Sequence, residues 1–64
     1  MLSEIRNGAG LTQEELARES GVSLRTIQYL EADGTADAKV RTLARIARAL
    51  GCTVDDLLRE GGRT

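Results

Sequence analysis

The sequence predicts an all-α protein in which five short helices enclose one small core. Three observations carry this reading. Apolar residues recur at three- and four-residue spacing along the chain, and no stretch alternates with period two, so no strand is assigned. Thr12, Ser23 and Thr53 each stand just before such a segment, where a side-chain oxygen can accept from the free amides of a new helix. Gly8, Gly10, Gly21 and Gly51 follow the segments, where helices commonly stop.

Each element follows from its own residues. Leu2 and Ile5 mark a first helix that ends near Asn7 or Gly8, with Leu11 as an apolar plug beyond it. Thr12 caps the second helix, and Glu15 three residues on completes a capping box. That helix runs to about Ser20, and a turn at Gly21 leads to Ser23, the cap of a third helix from Leu24 to about Ala32. The residues from Asp33 to Asp37 form a loop. Val40, Leu43, Ile46, Ala47 and Leu50 make the strongest apolar stripe and define a fourth helix from Lys39 to Leu50. Thr53 caps a last helix through Leu58, with Asp56 at its capping-box position. The expected inner face is Leu2, Ile5, Leu11, Leu16, Val22, Ile27, Leu30, Val40, Leu43, Ile46, Leu50, Val54 and Leu57. The expected organisation is one domain over residues 1–60 and a flexible tail over residues 61–64.

Composition narrows the function. A chain of 64 residues buries only about 60% of its unfolded surface, so its core is small. A single cysteine excludes an internal disulfide, and Cys52 reads as a small apolar core residue. Histidine is absent and the acids are scattered, so neither a metal site nor a cofactor is expected. No base stands ready to activate the thiol and no glycine-rich phosphate loop is present, which argues against an enzyme. The chain has no apolar run near the ~20 residues of a membrane helix and no signal-peptide core, which predicts a cytoplasmic protein. Net charge is −1, yet the acids Glu14, Glu15, Asp55 and Asp56 fall in first helical turns, where they complement the helix dipole, while Arg25, Lys39, Arg41, Arg45 and Arg48 remain as bases.

The stretch from Gln13 to Glu31 is the most informative. Two helices joined by a tight glycine-containing turn form a helix-turn-helix, whose second helix commonly enters the DNA major groove. With Ile27 and Leu30 set inward, an advance of about 100° per residue turns Arg25, Tyr29 and Ala32 outward. Gln28 and Thr26 flank them, and Glu31 lies beside the buried edge. Arginine can pair with guanine and glutamine with adenine, each through two hydrogen bonds at the major-groove edge. Arg45 and Arg48, on the outer side of the fourth helix with Arg41, read as a solvated face.

Three segments, taken in order, resemble the lambda-repressor/Cro-type (XRE) helix-turn-helix family. They are Gly10-Leu11-Thr12-Gln13-Glu14-Glu15-Leu16-Ala17, then Gly21-Val22-Ser23 with Thr26-Ile27 and Leu30-Glu31, then Thr42-Leu43 with Ile46-Ala47-Arg48-Ala49-Leu50-Gly51 and Asp55-Asp56-Leu57-Leu58. The resemblance implies a compact lambda-repressor-like fold and a transcriptional regulator, a repressor by expectation, that binds double-stranded DNA as a homodimer on a two-fold symmetric operator. It implies base or groove contacts from Ser23, Leu24, Arg25, Gln28 and Tyr29, to which the helical positions add Thr26. It implies phosphate contacts from Gln13, which also braces the recognition helix, and from Arg41, with Lys39 beside it. It further implies an internal salt bridge between Arg6 and Glu31. The last helix, with Leu57 or Leu58, is the candidate dimer interface. Three departures stand out: a short first helix, a longer and acidic loop after Glu31, and an apolar Leu24 that can touch a thymine methyl. The alternative is an antitoxin-like or phage-type module that uses the same fold to hold a protein partner.

Overall fold

A computed structural model describes residues 2–35 and 38–58 of the chain. Its elements are α1 (Leu2–Gly8), α2 (Gln13–Ser20), α3 (Leu24–Asp33), α4 (Val40–Leu50) and α5 (Val54–Leu58), with no strand among the described residues. The all-helical, five-helix class expected from the sequence is the observed one. The tail over residues 61–64 lies outside the described residues, as do Ala36 and Asp37 of the loop.

Local chemistry sets the helix ends. At α2, the Thr12 hydroxyl accepts from the Glu15 amide at 3.0 Å while the Glu15 carboxylate accepts from the Thr12 amide at 2.8 Å. The same reciprocal pair opens α5: the Asp56 amide donates to the Thr53 hydroxyl and the Thr53 amide to the Asp56 carboxylate, each at 3.0 Å. Each box satisfies two amides that helix geometry leaves without partners. At the far end of α2 the backbone turns left-handed at Gly21, with φ 73°, a conformation that a side chain would oppose.

The core comprises Leu2, Leu16, Val22, Ile27, Leu30, Leu43, Ile46, Ala47 and Leu57. Ile5, Leu11, Leu50, Cys52 and Val54 pack against it while half-buried. Helix α2 lies against both α3 and α4, α4 against α5, and α1 against α3. This arrangement leaves the face of α3 opposite Ile27 and Leu30 uncovered.

Two details correct the sequence reading. Val40, assigned to the inner face, is 72% exposed. It occupies the first turn of α4, and burial along the stripe begins only at Leu43, so the helix overhangs the core at its start. Lys39 is the N-cap of α4 rather than its first residue, and it makes no side-chain capping bond.

Candidate nucleic-acid interface

The α2–α3 joint is built from short polar contacts. The buried Ser20 hydroxyl accepts from the Val22 amide at 3.2 Å and donates to the Ala17 carbonyl at 3.5 Å, which closes the turn around Gly21. Ser23 then caps α3: its hydroxyl accepts from the Thr26 amide at 3.2 Å and donates to the Thr26 hydroxyl at 2.8 Å. Both hydroxyls are thus engaged with each other at the start of the helix, Ser23 exposed and Thr26 half-buried.

With Ile27 fully buried and Leu30 nearly so, Arg25, Gln28, Tyr29 and Ala32 are exposed. Tyr29 is 55% exposed, although it is the chain's one aromatic side chain. Among the described residues, Arg25, Gln28 and Tyr29 have no hydrogen-bonding or ionic partner. Their donors and acceptors are free for a ligand. Leu24 is half-buried. Lys39 and Arg41 are exposed at the start of α4.

Behind this face lies a polar network joining α1, α2 and α3. The Arg6 guanidinium clamps the Glu31 carboxylate, Nε donating to Oε2 at 2.6 Å and Nη2 to Oε1 at 3.2 Å. Arg6 Nη1 also donates to the Leu11 carbonyl at 2.8 Å and to Asn7 Oδ1 at 3.2 Å. Gln13 Nε2 donates to Glu31 Oε1 at 3.0 Å. The ion pair is largely shielded, with side-chain exposures of 13% for Arg6 and 9% for Glu31. Burial is the largest single influence on Glu31 and pushes its carboxyl up. The hydrogen bonds from Arg6 and Gln13, with the Arg6 charge, outweigh that cost and hold the carboxyl below its ordinary value. For Arg6 the hydrogen bond to Glu31 dominates over burial, and the guanidinium holds its proton more tightly than usual.

Other residues sort as follows. Leu57 is completely buried, so of the two interface candidates Leu58, 47% exposed, is the one that presents an apolar surface to a partner. Cys52 is half-buried; burial, and next to it the Asp56 charge, pushes its thiol up. Among the described residues no cluster of His, Cys, Asp and Glu converges as a metal site, and no helix is long and apolar enough to cross a membrane. Sequence reasoning missed Thr35. It is 1% exposed, and its hydroxyl donates to the Leu57 carbonyl at 3.1 Å, which ties the loop after α3 to α5. A lone threonine in a polar loop carries no periodic signal that would reveal this.

A capped second helix, carried on a glycine turn with a free polar face outward, defines a helix-turn-helix domain of the DNA-binding class. Comparison with known proteins agrees. A helix-turn-helix family profile matches residues 2–57, and the chain belongs to that XRE-type family of DNA-binding transcription regulators. A protein of Archaeoglobus fulgidus described as an uncharacterized HTH-type transcriptional regulator is 39% identical over 56 residues, covering 88% of this chain and 79% of that one. No solved structure matches the chain at comparable significance.

Proposed function

We propose that this protein is a sequence-specific transcriptional regulator that reads the major groove with α3 and acts as a repressor by occupying its operator. The observation that carries the reading is the pairing of an anchored inner face, Ile27 and Leu30, with an outward face whose Arg25, Gln28 and Tyr29 have no partner among the described residues. Arg25 and Gln28 supply fork and amide geometry for base edges, and Tyr29 supplies a phenol for a phosphate or sugar. Ser23, Leu24 and Thr26 line the groove-facing start of the helix. Gln13, Lys39 and Arg41 set the register on the backbone. The exposed Leu58 suits a homodimer contact on α5. Such a dimer places two copies of α3 about 34 Å apart, in successive major grooves on one face of the duplex.

Selection of bound duplexes from random DNA tests the sequence reading and the symmetry of the site together. The expected outcome is a two-fold symmetric consensus with half-sites one helical turn apart. Recovery of no consensus, at a salt concentration where the protein still binds, would remove the proposal of sequence reading. Sedimentation that shows a strict monomer even on selected DNA would remove the dimer.

A second reading, a module that holds a protein partner, draws on a shallow groove between the C-terminal halves of α2 and α4. Glu19, Ser20, Arg45, Arg48 and Ala49 line it. A steep fall of affinity with salt on selected DNA favours the first reading.

A further inference from the structure

We propose that Glu31 is a positioning residue for DNA binding: its carboxylate fixes the Gln13 amide in place and in orientation before a backbone phosphate arrives. This rests on the reading of Gln13 as a phosphate contact. The two residues lie 18 apart in sequence, on α2 and α3, and Gln13 Nε2 donates to Glu31 Oε1 at 3.0 Å. An ionised carboxylate only accepts hydrogen bonds, whereas a glutamine amide has one donating end and one accepting end. If the amide turned over, its carbonyl oxygen would face an acceptor-only group. Glu31 therefore selects one of the two amide orientations and uses one of the two Nε2 protons. The other remains for an acceptor, and phosphate oxygens are acceptors.

Glu31 is itself held. Arg6 grips both of its oxygens and at the same time donates to the Leu11 carbonyl at 2.8 Å, just before α2 begins. The connection runs from the entry of α2 through Arg6 and Glu31 to Gln13, the first residue of α2, in a largely shielded setting. The Gln13 side chain is ordered when the protein folds rather than when DNA binds. Immobilising such a side chain at an interface costs about three- to tenfold in affinity, and this arrangement removes that cost from the binding step.

The consequence opposes simple electrostatics. Glu31→Gln removes a negative charge near a polyanion, so a purely charge-based role for Glu31 makes the variant bind more tightly. A positioning role makes it bind more weakly, because one amide oxygen cannot serve Arg6 and Gln13 as a carboxylate does.

The test uses the full chain, a duplex selected by the wild type, and a random-sequence duplex of equal length, below the melting transition of every variant. The expected result is that Gln13→Ala and Glu31→Gln each weaken both duplexes about three- to tenfold, and that the double variant is no weaker than the weaker single one. Because a neutral amide releases no counterion, the salt slope stays at the wild-type value. Wild-type or tighter binding by Glu31→Gln, with Gln13→Ala weakened, overturns the positioning role and leaves the phosphate contact standing. Wild-type binding by Gln13→Ala overturns the phosphate contact and the proposal with it. Should Glu31→Gln not fold, the DNA-free wild type decides: an order parameter at Gln13 Nε2 near that of rigid backbone, about 0.85, is expected, and a value below about 0.6 overturns the proposal.

Discussion

Arg25 and Glu31 are charged residues on the same helix, and they have opposite fates. Arg25 is exposed and has no partner among the described residues. Glu31 is gripped by Arg6 and Gln13 and is only 9% exposed. The difference is angular. At about 100° per residue, six steps carry a side chain through 600°, from the outer face to the flank of the core. One helix thus keeps one set of polar groups saturated, where they hold its place, and another set free, where they can read a ligand. Polarity alone does not distinguish the two roles; position relative to Ile27 and Leu30 does.

The strongest way to break this contrast is to unmake the anchored side. Glu31→Ala leaves the Arg6 guanidinium largely buried without its counter-charge, and loss of one partner of such a pair costs about 3–5 kcal/mol. For a domain of this size each kcal/mol shifts Tm by about 4–8 °C, so thermal unfolding should show a drop of at least about 12 °C. A drop below about 3 °C would mean that the pair is solvated and that the contrast is false. Replacing Arg6 and Glu31 together by Met and Leu should recover much of the loss, since well-packed apolar residues often match a buried pair.

The same pair gives a pH window. The Glu31 carboxyl lies below its ordinary value in the folded chain. Unfolded, it titrates near the ordinary glutamate value of about 4.3. A group depressed on folding stabilises fully above its unfolded value and loses that contribution as pH falls through its folded one. Stability should therefore be flat in this respect above about pH 5 and decline below about pH 4.3. Chemical denaturation across pH 3 to 7 measures this, and the Arg6 and Glu31 double replacement should show a shallower decline.

On the free side the effects move from stability to recognition. Arg25→Ala should leave thermal stability within about 0.5 kcal/mol. It should weaken binding to a selected duplex by about 1–3 kcal/mol and relax preference at one base pair. Competition binding against a panel of single-base variants is the measurement. Equal weakening on selected and random DNA would reassign Arg25 from reader to backbone contact.

Much of this contrast was legible before the structure. Thr12, Ser23 and Thr53, with Gly21 and Gly51, mark helix ends by local chemistry, and local chemistry is what a sequence displays. The inward bearing of Glu31 followed from helical angle alone. Val40 misled because periodicity reports which side of a helix a residue occupies, not whether another element reaches that far along it. Thr35 was invisible for a related reason: its burial depends on α5 passing over the loop, 22 residues on, and the hydroxyl-to-Leu57 bond is purely tertiary. Leu57 fits the inner face and also stands beside Leu58 as an interface candidate; neighbours in a helix lie about 100° apart, so only the structure separates them, one wholly buried and the other 47% exposed.

The smallest expected effect sharpens the free side further. Arg41 is exposed in the first turn of α4, on a different helix from the readers of α3. If it meets a phosphate, Arg41→Ala should cost about 1 kcal/mol or less at physiological salt and reduce the salt slope by about one. Selected and random duplexes should lose equally, because a phosphate carries no sequence information. Arg48 lies two turns further along the same helix, beside the groove it shares with α2. Arg48→Ala removes the same charge but should leave the slope at its wild-type value. Binding titrations over a range of salt separate the two arginines. A slope lowered equally by both would mean that DNA feels only the net charge of α4. It would also deprive the free face of a defined register on the backbone.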